Sequence, residues 1–185
     1  MATRIRRSIC VIIMICLLLS GCSSYCAYKT YYDSPSDYPA VWELAGLYPG
    51  ESDRSPLFPE DIRALEVESF FCRYDEQLPL GEGVQMLLHI RYDETDFVKE
   101  VQRIEAQATD RTDAFDCAPF QALALCLGTE DRSEYALIDT RGRSIYYVYL
   151  YNLPKDQLEI DPRFLPIGYT GLGEVDDTVT PRYHG

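Results

Sequence analysis

Seven cysteines, two histidines and 30 acidic residues are the side chains with which this 185-residue chain could do chemistry. Cys22 stands out by position, because it follows an apolar run and the two small residues Ser20 and Gly21. A thiol there is a nucleophile that close-approaching machinery can reach. Cys26, Cys72, Cys117 and Cys126 have no CxxC spacing, and His89 and His184 stand apart, so the sequence offers no zinc ligand set. Asp110, Asp113 and Asp116 recur every three residues but lack the alternating acids, glycine and distal glutamate of an EF-hand. They read as solvated loop acids. No phosphate loop, nucleophile elbow or histidine pair is present, and no cofactor is expected.

The elements around Cys22 explain its placement. Arg4, Arg6 and Arg7 form a basic patch, Ile9 to Leu19 is an unbroken apolar run of eleven residues, and Ser20-Gly21 is a small-residue site. That order is that of a secretory signal. A helix spanning the hydrocarbon core needs about 20 apolar residues, so the run is too short for a permanent span. Leu19-Ser20-Gly21-Cys22 resembles the lipobox of bacterial lipoproteins, a likeness that covers residues 1–22 alone. It implies that Cys22 receives a diacylglyceryl group, that a signal peptidase cuts between Gly21 and Cys22, and that the protein is held at a bacterial membrane facing the extracytoplasmic side. Two acyl chains hold stably where one does so marginally.

Loss of Arg4, Arg6 and Arg7 takes the basic residues from 17 to 14 against 30 acids, a formal charge of −16. Nucleic acid and anionic headgroups are repelled by such a surface. Outside the cytoplasm, Cys26, Cys72, Cys117 and Cys126 are permitted to pair, with the pairing left open.

Four segments follow: signal peptide 1–21, lipid-anchored tether 22–58, a single domain 59–173 and a frayed tail 174–185. The tether is rich in Ser, Tyr, Pro and Asp around an apolar patch at Val41, Trp42 and Leu44. A flexible stretch from 23 to 40 would hold the domain on the order of 25 Å from the bilayer.

Within the domain, Ala64 to Gln77 and Gly83 to Tyr92 read as a strand pair across a Pro- and Gly-containing turn. Phe97, Val101, Ile104 and Ala108, widened by Val98, make the apolar stripe of a helix, with Asp93 as N-cap and Tyr92 and Phe97 as a hydrophobic staple. Phe120 to Gly128, Glu134 to Asp139 and Ser144 to Asn152 read as strands, the last two joined by a turn that Gly142 supports. Phe164, Leu165 and Ile167 are apolar anchors near the C-terminus. The fold class is α+β: a mainly antiparallel sheet, β-β-α-β-β-β in sequence, with one amphipathic helix on a face.

In SIYYVYLYN, alternation puts Tyr147, Tyr149 and Tyr151 on one face and Val148 and Leu150 on the other. If Val148 and Leu150 receive the helix, the tyrosines are free as a binding face for an envelope protein or glycan. His89, between Leu88 and Ile90, reads as a strand histidine and not a catalytic base. The favoured function is thus a non-enzymatic, lipid-anchored binding module. Its alternative is a small hydrolase using two carboxylates in one cleft, which no motif betrays.

Overall fold

The computed structural model describes residues 27–44, 57–77, 81–111, 114–129, 132–171 and 174–175. Cys22, Cys26 and His184 lie outside them. Its centre is a seven-stranded, wholly antiparallel sheet in the order β1-β2-β3-β7-β6-β5-β4. The strands are β1 (Ala27–Tyr32), β2 (Glu66–Gln77), β3 (Gly81–Arg91), β4 (Asp110–Arg111), β5 (Gln121–Thr129), β6 (Arg132–Asp139) and β7 (Ser144–Tyr151). A short helix α1 (Tyr38–Leu44) follows β1, helix α2 (Glu94–Gln107) follows β3, and a small pair, β8 (Tyr169–Gly171) with β9 (Glu174–Val175), comes last. The mainly antiparallel sheet expected from the alternation of apolar residues is present.

Local chemistry accounts for the helix and the turn. The Asp93 carboxylate accepts the Asp96 N–H at 2.8 Å, and Glu94 and Asp96 lie in the first turn, where the helix dipole favours negative charge. Phe97 and Ile104 are buried on the stripe, but Val98 is 50% exposed. Val98 therefore does not widen the stripe: one position from Phe97 is about 100° around the helix, which turns it to solvent. Between β6 and β7, the Asp139 carboxylate accepts the Arg141 N–H at 3.0 Å, and the left-handed residue is Arg143 (φ 50°). Gly142 instead leaves room for the Asp139 carboxylate, which a Cβ 2.3 Å from its Oδ2 would push aside.

Residues directly opposite in antiparallel strands share a face, so the register sorts the side chains. One row reads Tyr32, Cys72, Met86, Tyr149, Glu134 and Cys126; the row beside it, on the opposite face, reads Tyr31, Arg73, Gln85, Leu150 and Ser133. The first face packs on Phe97 and Ile104 of α2, on Tyr38 and Val41 of α1, and on Leu57, Phe58 and Ile62. The second face packs under Cys117 and under Leu165 and Tyr169, with Phe115, Phe120, Leu158, Ile160 and Phe164 alongside. Two cores, one on each side, are thus separated by the sheet, and all six central residues of β6 are buried.

Two expectations are corrected by this arrangement. Residues 27–44, expected in the tether, supply β1 and α1: β1 gains a backbone partner along its whole length from β2, and Tyr38 and Val41 gain the first core. Among the described residues, the folded unit therefore includes Ala27–Leu44. Near the other end, Glu174 and Val175, expected in the frayed tail, pair with β8.

Candidate functional site

The candidate binding face Tyr147, Tyr149 and Tyr151 is not free. Tyr147 and Tyr149 are 0% and 2% exposed in the first core, with half-buried Tyr151 packed against it, while Val148 and Leu150 point into the second. The expected faces are inverted because the Tyr147 tip finds partners inside. Tyr147 Oη donates to Glu100 Oε1 of α2 at 2.6 Å and lies 2.7 Å from Tyr92 Oη. Glu100 is held in turn by Arg103 through two bonds of 2.8 and 2.7 Å. Arg103 donates onward to the Leu57 carbonyl. A hydroxyl bonded this way lets a Tyr ring serve as core at little polar cost. Burial pushes the Tyr147 and Tyr92 phenols up, so neither ionises near neutral pH.

Among the described residues two carboxylates are fully buried, and no sequence pattern marked them. Glu134, at the start of β6, accepts the Leu57 N–H at 3.3 Å. Removal from water pushes its carboxyl up to about 7, against the opposing pull of that N–H and of Arg132. The second, Asp75 of β2, is paired with Arg73, whose Nε donates to Oδ1 at 2.8 Å and whose Nη2 forms an ion pair with Oδ2. Arg73 also donates to the Gln157 carbonyl and lies 3.6 Å from Glu159. Gln85 brackets Glu159 through both backbone groups at 2.8 Å, and Tyr31 donates to its carboxylate at 3.2 Å. This polar seam fastens residues 157–159 across the second face. A signal for it existed in retrospect: an arginine and an aspartate two apart in a strand share a face.

The geometry decides what these acids can do together. Glu134 shares a row with Met86 and Tyr149 on the first face, whereas Arg73 shares one with Gln85 and Leu150 on the second, and Asp75 lies two residues along on that face. The sheet stands between the two carboxylates, so they cannot flank one substrate bond.

His89, on the second face, stacks on Tyr146 with ring centroids 3.7 Å apart and planes 9° from parallel. Its Nε2 is buried without a hydrogen-bond partner among the described residues, and burial lowers its pKa, so the ring is neutral at pH 7. Tyr146 meets Phe120 and Phe164, while Tyr31, 50% exposed, tilts against Phe71. Phe71, His89 and Tyr146 are half-buried, so the pairs Tyr31–Phe71 and His89–Tyr146 are aromatic rings that the second face leaves partly open.

Cys72, Cys117 and Cys126 are free thiols. Cys72 belongs to the first core and Cys117 to the second, so the sheet keeps them apart, and burial pushes the Cys72 thiol up to about 12. Among the described residues no cluster of His, Cys, Asp or Glu is arranged to hold a metal, and no helix is long and apolar enough to cross a membrane. The chain matches no protein-family model, no curated protein and no solved structure.

Proposed function

We propose that this chain is a bacterial lipoprotein whose folded unit works by binding an envelope partner, held to the membrane through Cys22. The observation that carries the anchor is the run Arg4 to Cys22, with its basic patch, short apolar stretch and Leu-Ser-Gly-Cys ending. Ala27, where β1 begins, is five positions beyond Cys22, a span of no more than about 18 Å at full extension. The sheet then rides close above the headgroups, nearer than a tether reaching residue 58 would hold it.

Binding is favoured over hydrolysis because the two buried carboxylates face opposite sides of the sheet, each bonded into the fold. Exposed Tyr31 and the partly buried rings Phe71, His89 and Tyr146 take over the role first read into Tyr147, Tyr149 and Tyr151. Aromatic rings with a polar tip suit contact with a protein or a sugar. Read as a unit, the segment from Glu66 to Tyr151 is the scaffold, its order β-β-α-β-β-β-β once the two-residue β4 is counted, and β1 and the segment after Leu153 are its additions.

The anchor is tested by Cys22→Ser in cells fed a fatty-acid probe. Labelling is expected to vanish, and the protein to leave the membrane fraction. Undiminished labelling of the variant would overturn the anchor.

A further inference from the structure

The two edges of the sheet are built differently. β4 is two residues long and consists of Asp110 and Arg111, whereas β1 runs six residues in unbroken register with β2. Sheet edges are ordinarily blunted by short strands, proline, bulges, several charges or a covering element. Among the described residues β4 is blunted by its length. β1 carries no proline, no bulge against β2 and the single charge of Lys29. Lys29, Thr30 and Tyr31 are exposed, and among the described residues the chief neighbour of β1 is β2 alone. Along its outer side, alternate N–H and C=O groups point away from the sheet, the template for one more strand.

We infer that β1 is a homodimer edge, pairing antiparallel with β1 of a second copy of this chain about a two-fold axis through Thr30. Such an axis stands normal to the sheet and keeps each face on its own side, so only residues of equal parity can be opposed. Centred on Thr30, it sets Thr30 against Thr30 of the second copy on the first face, and Lys29 against Tyr31 of the second copy on the second. Thr30 against Thr30 is a favourable cross-strand pair, and Lys29 against Tyr31 sets a cation beside an aromatic ring. Centring on Lys29 would oppose two ammonium groups, which is unfavourable. Under the Thr30 axis no like charges face each other within the strand, and the nearest buried acid, Asp75, is already neutralised by Arg73. A two-fold contact is closed, and the two-residue β4 gives no equal edge from which a head-to-tail fibre would grow. This pairing is a property of the sheet and does not depend on the lipid.

The test is position-specific cross-linking in the full chain. Directly opposed residues in antiparallel strands have Cα atoms about 4.5 to 5.5 Å apart, inside the range a disulfide bridges. Under mild oxidation Thr30→Cys is expected to give a covalent dimer of twice the chain mass, lost on reduction and absent from the parent with its native cysteines. Lys29→Cys alone is expected to stay monomeric, while Lys29→Cys with Tyr31→Cys in one chain restores the dimer. Thr30 is exposed, so the variant should keep the parent's circular dichroism and melting profile. A Thr30→Cys chain that folds but stays monomeric would overturn the proposal. So would dimer from Lys29→Cys alone, or capture of a chain of different mass at Thr30 without homodimer; the last outcome would assign the edge to a foreign strand.

Discussion

Glu134→Gln isolates a buried acid that burial leaves poised near neutrality. Its carboxyl rises from 4.5 to about 7 in the fold, chiefly because burial penalises the charge. A shift of that size corresponds to about 3 kcal/mol, at roughly 1.4 kcal/mol per pH unit. The folded state favours the neutral form, so the contribution is fully present below about pH 4.5 and lost as pH rises through about 7. Gln keeps the size of the side chain and an oxygen to accept the Leu57 N–H, but never ionises. Chemical unfolding of the chain from Ser23 onward, parent and variant, at half-unit steps from pH 4.5 to 8.5 measures the difference. Near pH 4.5 the two should be within about 0.5 kcal/mol, and by pH 8.5 the variant should be the more stable by up to about 3 kcal/mol. His89, lowered by burial, acts in the opposite sense, its contribution falling as pH drops. It is common to both proteins and cancels in the difference. Unfolding curves that stay parallel across the whole range would refute the reasoning, since Glu134 would then ionise alike in both states.

Arg73→Met should cost about 3 to 5 kcal/mol because Asp75 is left buried and unpaired, whereas Arg73→Met with Asp75→Leu should recover much of that loss; a double variant no more stable than Arg73→Met would refute the reasoning. Tyr147→Phe should cost about 1 to 2 kcal/mol, for the hydroxyl's bonds to Glu100 and Tyr92, and Tyr147→Ser about 3 to 5 kcal/mol, for the lost ring. Thermal unfolding of both Tyr147 variants distinguishes a core ring from a surface one, where either change would stay within about 0.5 kcal/mol.

What was legible in the sequence was what is decided over a few residues. The Asp93 cap and the Phe97 and Ile104 stripe are readable because a helix closes its bonds within four residues, and its dipole acts within one turn. The strand runs from Glu66 to Tyr151 are readable because alternation follows from the pleat. Alternation also states which side chains share a face: Tyr147 with Tyr149, and Val148 with Leu150. It does not state what covers each face. That depended on Glu100 arriving from α2 to receive Tyr147 Oη, and on the segment from Leu158 to Tyr169 covering Val148 and Leu150. The strand at Ala27–Tyr32 was illegible for a related reason, since Tyr, Lys and Thr there take their order from a ladder with β2, whose partners lie far along the chain. Glu134 lies the same way beyond local reading: its burial is imposed by Leu57, from another part of the chain, and by rows of strands on both sides. Short-range hydrogen bonding and periodicity are properties of the sequence by itself; burial, and with it every shifted acid and every covered or open surface, is a property of segments distant in sequence that meet only in the folded chain.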